Sequence, residues 1–158
     1  MTVIGRVLAR AARILVVGCL LAAAASVAPD SVPSVDAACG VSIYRIYYDS
    51  PSSDIGSNAS LNAEWIQLRN GCTAAKSLTN WTIKDAAGHT YKFGTYALGA
   101  GSTVKIHTGS GTNTSSNRYW NQGWYIWNNT GDSANLRSGT GALIDSCNYS
   151  GGGASASC

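Results

Sequence analysis

Apolar residues occupy every second position in Trp81-Thr82-Ile83-Lys84, Thr90-Tyr91-Lys92-Phe93 and Thr103-Val104-Lys105-Ile106-His107, and no window of the chain sustains a helical period. A period of two sends successive side chains to opposite faces of a strand, so each stretch reads as a strand with one buried and one wet face. Val41 to Tyr48, Ala63 to Asn70, Trp124 to Trp127, Ala134 to Arg137 and Leu143 to Tyr149 are further strand candidates. Turn-forming runs such as Asp85-Ala86-Ala87-Gly88 and Ser138-Gly139-Thr140-Gly141 separate them. Seven to eight short strands at this spacing predict an all-β fold, an antiparallel sandwich or barrel. Trp65, Ile66, Leu68, Trp81, Ile83, Phe93, Val104, Ile106 and Leu136 read as its structural core. Only 12% of the 158 residues are charged, against about 25% in ordinary soluble domains, and aromatic and β-branched residues are plentiful, which disfavours disorder and coiled coil.

The start of the chain reads differently. Arg6, Arg10 and Arg13 precede the apolar, Ala-rich run from Ile14 to Ala28, the layout of a secretory signal peptide. The run falls short of the roughly 20 residues that a membrane span needs. Cleavage after Ala28, Ala37 or Ala38 is compatible with the small residues there, and Val16-Val17-Gly18-Cys19 resembles a lipobox except that the apolar stretch continues beyond Cys19. The expected plan is a leader over 1–37, a β domain over 38–150 and a Gly/Ser-rich tail over 151–158 ending in Cys158, in a secreted, extracellular protein with no membrane span in its mature part. Without residues 1–37 the chain keeps eight basic and six acidic residues. That balance gives no strong nucleic-acid signal, since backbone binding wants a basic stripe.

Four cysteines remain beyond the leader, and an even count in a secreted chain predicts disulfides. If Val41 to Tyr48 and Ala63 to Asn70 form an antiparallel hairpin, facing residue numbers sum to a constant. The register that faces Ile43 with Leu68 faces Tyr47 with Glu64 and Cys39 with Cys72, leaving Cys147 to pair with Cys158 across a flexible Gly/Ser spacer. Metal binding is disfavoured, because no C-x-x-C spacing exists and only His89 and His107 could join the cysteines.

Thr108 to Gly123 is long for a structureless connection and ends in Arg118-Tyr119-Trp120. Tyr119, Trp120, Trp124, Tyr125 and Trp127 are too many aromatics in nine residues to enter one core from one strand. Arg118, Tyr119, Trp120 and Trp124 are therefore the candidate ligand-binding residues, with exposed rings able to stack on sugars or bases. The alternative is that these rings pack in the sandwich or lie over the loop's own backbone.

The run Glu64-Trp65-Ile66-Gln67-Leu68-Arg69-Asn70, then Leu78-Thr79-Asn80-Trp81-Thr82-Ile83-Lys84-Asp85, Tyr91-Lys92-Phe93, Leu98 to Ile106, and Asn128 to Leu136 with Gly141 to Tyr149 together resemble the lamin tail domain. The pattern is an acidic-aromatic strand ending in Asn, a Trp followed by an apolar residue and Asp, a Leu-x-x-Gly turn and a closing Gly-Asp…Leu…Gly…Asp…Tyr series. It spans nearly all of residues 41 to 150 and is similar to the bacterial secreted members, because a leader is present and a coiled-coil rod is not. The resemblance implies an immunoglobulin-like sandwich that serves as an interaction module, and it carries over no catalytic residue.

Catalysis finds little support in the residues themselves. His107 and His89 read as wet, Asp85 and Asp132 flank turns and read as caps, and Glu64 reads as partly buried and paired with Arg45 or a hydroxyl. Asp49 and Asp54 could offer oxygens to Ca²⁺ but read as a turn. No catalytic residue, metal or cofactor is expected. The expected function is a non-enzymatic module that binds a protein or a cell-surface polymer. The alternatives are a polysaccharide-binding module using the 108–127 aromatics, a DNA-associated accessory domain with a basic face joining Arg118, Lys105 and Lys92, and, last, a hydrolase.

Overall fold

The computed structural model describes residues 39–51 and 54–158; the leader, its cleavage points and Cys19 lie outside the described residues. Eleven strands and one short helix follow in the order β1 (Val41–Tyr47), α1 (Asn58–Ala63), β2 (Trp65–Asn70), β3 (Lys76–Ser77), β4 (Thr82–Lys84), β5 (Thr90–Lys92), β6 (Ala97–Leu98), β7 (Thr103–His107), β8 (Asn117–Tyr119), β9 (Asp132–Arg137), β10 (Leu143–Tyr149) and β11 (Ser155–Ser157). A five-stranded sheet, ordered β11-β1-β2-β7-β8, faces a four-stranded sheet ordered β10-β9-β4-β5, and β3 pairs with β6 in a small ribbon. All pairings are antiparallel except β7 with β8. The all-β immunoglobulin-like sandwich expected from the sequence is thus the fold, with more strands than the seven to eight anticipated.

The core lies where the two inner faces meet. Ile43, Ile46, Ile66, Leu68, Val104 and Ile106 come from the five-stranded sheet, and Ile83, Ala134, Leu136 and Cys147 from the four-stranded one. Trp81 and Phe93 join them from the turns beside β4 and β5. Fully burying each Leu, Ile or Val is worth about 1.5–3 kcal/mol, so this alternation specifies which face of each strand turns inward.

Cys39 is bonded to Cys72 and Cys147 to Cys158. The expected hairpin register holds for Val41 with Asn70, Ser42 with Arg69 and Ile43 with Leu68, and then slips by one at a bulge on Tyr44. Tyr47 therefore faces Trp65, not Glu64. The bulge turns both Tyr44 and Arg45 to solvent while Ile43 and Ile46 stay buried.

Three other expectations are corrected, and the order of one long loop is settled. Trp65 is not core: Glu64, Ile66, Leu68 and Asn70 are the buried residues, so the strand's own alternation sends Trp65 to the outer face. Trp124 to Trp127 is not a strand, because Ile126 and Trp127 are consecutive and both buried, which a strand cannot do on one side. The Asp49 to Asn62 stretch holds helix α1, whose N-cap Ser57 accepts from the N–H of Ser60 at 3.2 Å. Thr108 to Gly123 is built rather than structureless. Its Ser110 carbonyl accepts from the side-chain amides of Asn58 (3.0 Å) and Asn62 (2.9 Å), and β8 lies beside β7.

Candidate functional site

The four candidate residues do not form one surface. Trp120 is 7% exposed and packs against Tyr91 and Trp127, with ring centroids 5.7 and 6.1 Å away, so it belongs to the core and not to a stacking platform. The parallel pairing of β8 with β7 explains this: Arg118 sits opposite buried Ile106 on the inner side, Tyr119 sits opposite His107 on the outer side, and Trp120 turns inward again. Trp124 stands apart at 62% exposure. Its ring rests on Gly56, where an added Cβ would come within 2.7 Å of the indole. Asp54, Asn128 and Asn129 line a cavity of about 270 Å³ beside it.

Tyr119 leads to a surface that the sequence did not single out. Directly paired residues on adjacent strands point to the same side of a sheet. Reading the register across the five-stranded sheet gives one outward row, Ser155, Tyr47, Trp65, His107 and Tyr119, and beside it a second, Ser157, Arg45, Gln67, Lys105 and Asn117. Ser42, Arg69 and Thr103 form a third, shorter row.

Neighbouring rings in the first row lean on one another. Tyr47 stacks on Trp65 with centroids 5.4 Å apart, and His107 stacks on Tyr119 at 5.2 Å. Lys105, a diagonal neighbour, places its ammonium 4.0 Å from the Trp65 ring centroid. Such stacks and cation–π contacts are worth about 0.5–1.5 kcal/mol each and hold the side chains in one arrangement. The ring faces are therefore largely occupied by each other, and the row offers solvent its polar edges. His107 is fixed further, with Nδ1 2.7 Å from the Asn62 carbonyl and Nε2 2.9 Å from Asn117 Oδ1.

The three rows of this face carry charge of one sign, and Asp145 borders them, lining a cavity with Ser42, Arg69 and Ser157. Arg45, Arg69 and Lys105 lie on the face, and none of the residues in its three rows is acidic. The two cations expected beside Lys105 are elsewhere: Arg118 and Lys92 line a groove beside β8.

The carboxylates serve the backbone. Asp85 accepts from the N–H groups of Gly88 (2.7 Å) and His89 (2.6 Å) and pairs with the His89 ring, so that histidine is engaged instead of merely wet. Asp132 accepts from Ala86 (3.1 Å), Asn128 (3.3 Å) and Ser133 (2.7 Å). Asp145 holds the Ile43 N–H at 2.8 Å, at the bulge. Asn129 Nδ2 bridges Asp49 and Asp54, 3.3 Å from each. Glu64 is fully buried, more so than expected, and takes a hydroxyl partner, Thr108 at 2.6 Å, with no bond to Arg45. Burial raises its pKa to about 7 against the lowering effect of its hydrogen bonds.

Among the described residues, no group of three or more His, Cys, Asp and Glu side chains is arranged to hold a metal ion, and no helix is long and apolar enough to cross a membrane. The two disulfides are those of a chain folded in an oxidising environment. No curated protein matches the chain. The sequence model of the Lamin Tail Domain, an immunoglobulin-like and non-catalytic domain, matches residues 34–151. On that match and on the sandwich that carries it, the chain belongs to the lamin tail domain family.

Proposed function

We propose that the protein is a secreted, non-enzymatic interaction module that holds an acidic protein or cell-surface partner on the outer face of its five-stranded sheet. The observation that carries this reading is the coincidence of Arg45, Arg69 and Lys105 with an ordered aromatic row on one face, whose three rows hold no acidic residue and which meets a carboxylate, Asp145, at its edge beside Arg69. Half-exposed Tyr and Trp side chains that are already held in place lose little freedom on binding, which favours them as interface anchors. Secretion is supported by the leader-like start and by the two disulfides. The absence of an enzymatic role is supported by the family and by the carboxylates' attachment to backbone N–H groups.

The test is site-specific photo-cross-linking in the secreting cell, with a photoreactive residue in place of Gln67 on this face or Lys84 on the opposite sheet. A discrete adduct from position 67 and none from position 84 is expected. Equal adducts from both, or none from position 67, would overturn the reading.

A second reading, a polysaccharide-binding module, draws on a different observation. Trp124 is the exposed ring among the original candidates, and Asp54, Asn128 and Asn129 beside it supply hydrogen-bonding groups of the kind that sugar hydroxyls take. Loss of retention on an insoluble polysaccharide in Trp124→Ala, with the sheet face intact, would favour it.

A further inference from the structure

Two grooves, of about 530 and 550 Å³, flank the segment that carries β8, and Thr95, Asn113 and Arg118 line both. Arg118 is the wall they share. Its guanidinium carbon lies 4.1 Å from the centroid of the Tyr96 ring, and the Tyr96 hydroxyl is anchored on the Ser115 carbonyl at 2.5 Å, so the cation rests on a fixed platform.

Among the described residues the guanidinium is in no ion pair. Arg118 Nε is buried with no hydrogen-bond partner, and the one ion pair among the described residues joins His89 to Asp85. Neither groove is lined by Asp or Glu. Burial raises the pKa of the Tyr91 and Tyr96 phenols against the opposing charge of Arg118, so neither phenol supplies the missing negative charge.

Further donors stand beside the guanidinium. Lys92 lines the first groove. Asn113 spends its side-chain oxygen on the Tyr119 N–H at 3.1 Å, which leaves its NH₂ to offer. A desolvated guanidinium N–H without an acceptor is costly, and the planar fork of arginine matches two oxygens of an oxyanion better than any other side chain does.

We infer that the grooves around Arg118 form an oxyanion site, which takes a carboxylate, sulfate or phosphate group of a ligand between Arg118, Lys92 and the Asn113 amide. The site borders the binding face proposed above: Arg118 projects to the inner side of β8, and Tyr119, of the outer row, also lines the first groove.

The experiment is an NMR amide-shift titration of the oxidised protein with inorganic phosphate, sulfate and acetate at constant ionic strength, with chloride as reference. Saturable shifts confined to Tyr91–Thr95, Asn113 and Arg118–Gln122 are expected for at least one oxyanion and not for chloride. Affinity falls at least tenfold in Arg118→Met and severalfold in Arg118→Lys, which keeps the charge and loses the fork. Thermal melts check that each variant folds; if Arg118→Met does not, the decision passes to Arg118→Lys and Lys92→Met. The anion that binds tightest identifies the group, flat carboxylate or tetrahedral ester. Non-saturable shifts shared with chloride, or affinity unchanged in the folded Arg118 variants, would overturn the inference.

Discussion

The hydroxyl of Thr108 donates a 2.6 Å hydrogen bond to the carboxylate of Glu64, joining the residue that follows β7 to the residue that precedes β2. The N–H of Ile126 donates to the same oxygen at 2.8 Å, so this carboxylate fastens the connection before β9 onto the five-stranded sheet. Its other oxygen is buried without a partner.

That arrangement makes stability depend on pH. Burial raises the Glu64 pKa from 4.5 to about 7, so the folded state holds a proton that the unfolded chain has released. The contribution is fully present below about 4.5 and is lost as pH rises to about 7. At 1.36 kcal/mol per unit the loss is about 3 kcal/mol. Urea unfolding at intervals from pH 4 to 9 should show the wild type losing that much relative to Glu64→Gln, with the difference flat above about pH 8. A pH-independent difference would contradict the assignment.

The disulfides should contribute unequally. Cys39–Cys72 closes 33 residues and Cys147–Cys158 closes 11, and loop-closure entropy gives about 4 and about 3 kcal/mol respectively. The paired serine variants should therefore unfold in that order of severity in urea. Losing Cys158 should also loosen β11, which pairs with β1 over only Ser155–Ser157, and hydrogen exchange at Arg45 and Tyr47 would report it.

Two tryptophans four residues apart should behave oppositely. Trp120 is buried against Tyr91 and Trp127, so Trp120→Ala should cost about 3–5 kcal/mol. Trp124 is 62% exposed, and Trp124→Ala should cost less than about 1 kcal/mol. Equal losses in denaturant titrations would refute the placement of both rings.

Particular residues show how far the sequence could be read. The alternation in Thr103–His107 and the facing of Cys39 with Cys72 were legible, because a period of two and a constant sum survive wherever the strands pair without interruption. The bulge at Tyr44 was not: it inserts one residue without a glycine or proline to announce it, and it moved Tyr47 from Glu64 to Trp65. Parity, and not size, places Trp65: with Glu64 and Ile66 buried on either side, it must face out. The direction of Arg118, Tyr119 and Trp120 depended on a parallel pairing of β8 with β7 after a long excursion, which no local pattern encodes. The aromatic and basic rows were hidden for the same reason. Tyr47, Trp65, His107 and Tyr119 are distant in sequence, and only the register sets them side by side.

The central claim is that the outer face of the five-stranded sheet recognises acidic partners through its geometry and not through net charge. The direct measurement compares retention of the oxidised protein on immobilised poly-glutamate and polygalacturonate, at low and at physiological salt, for two triple charge reversals. One carries Arg45→Glu, Arg69→Glu and Lys105→Glu; the other carries Lys76→Glu, Lys84→Glu and Arg137→Glu, an equal change of charge away from that face. Retention should be lost in the first and kept, with a weaker salt response, in the second. Equal loss in both, or full retention in the first, would contradict the account.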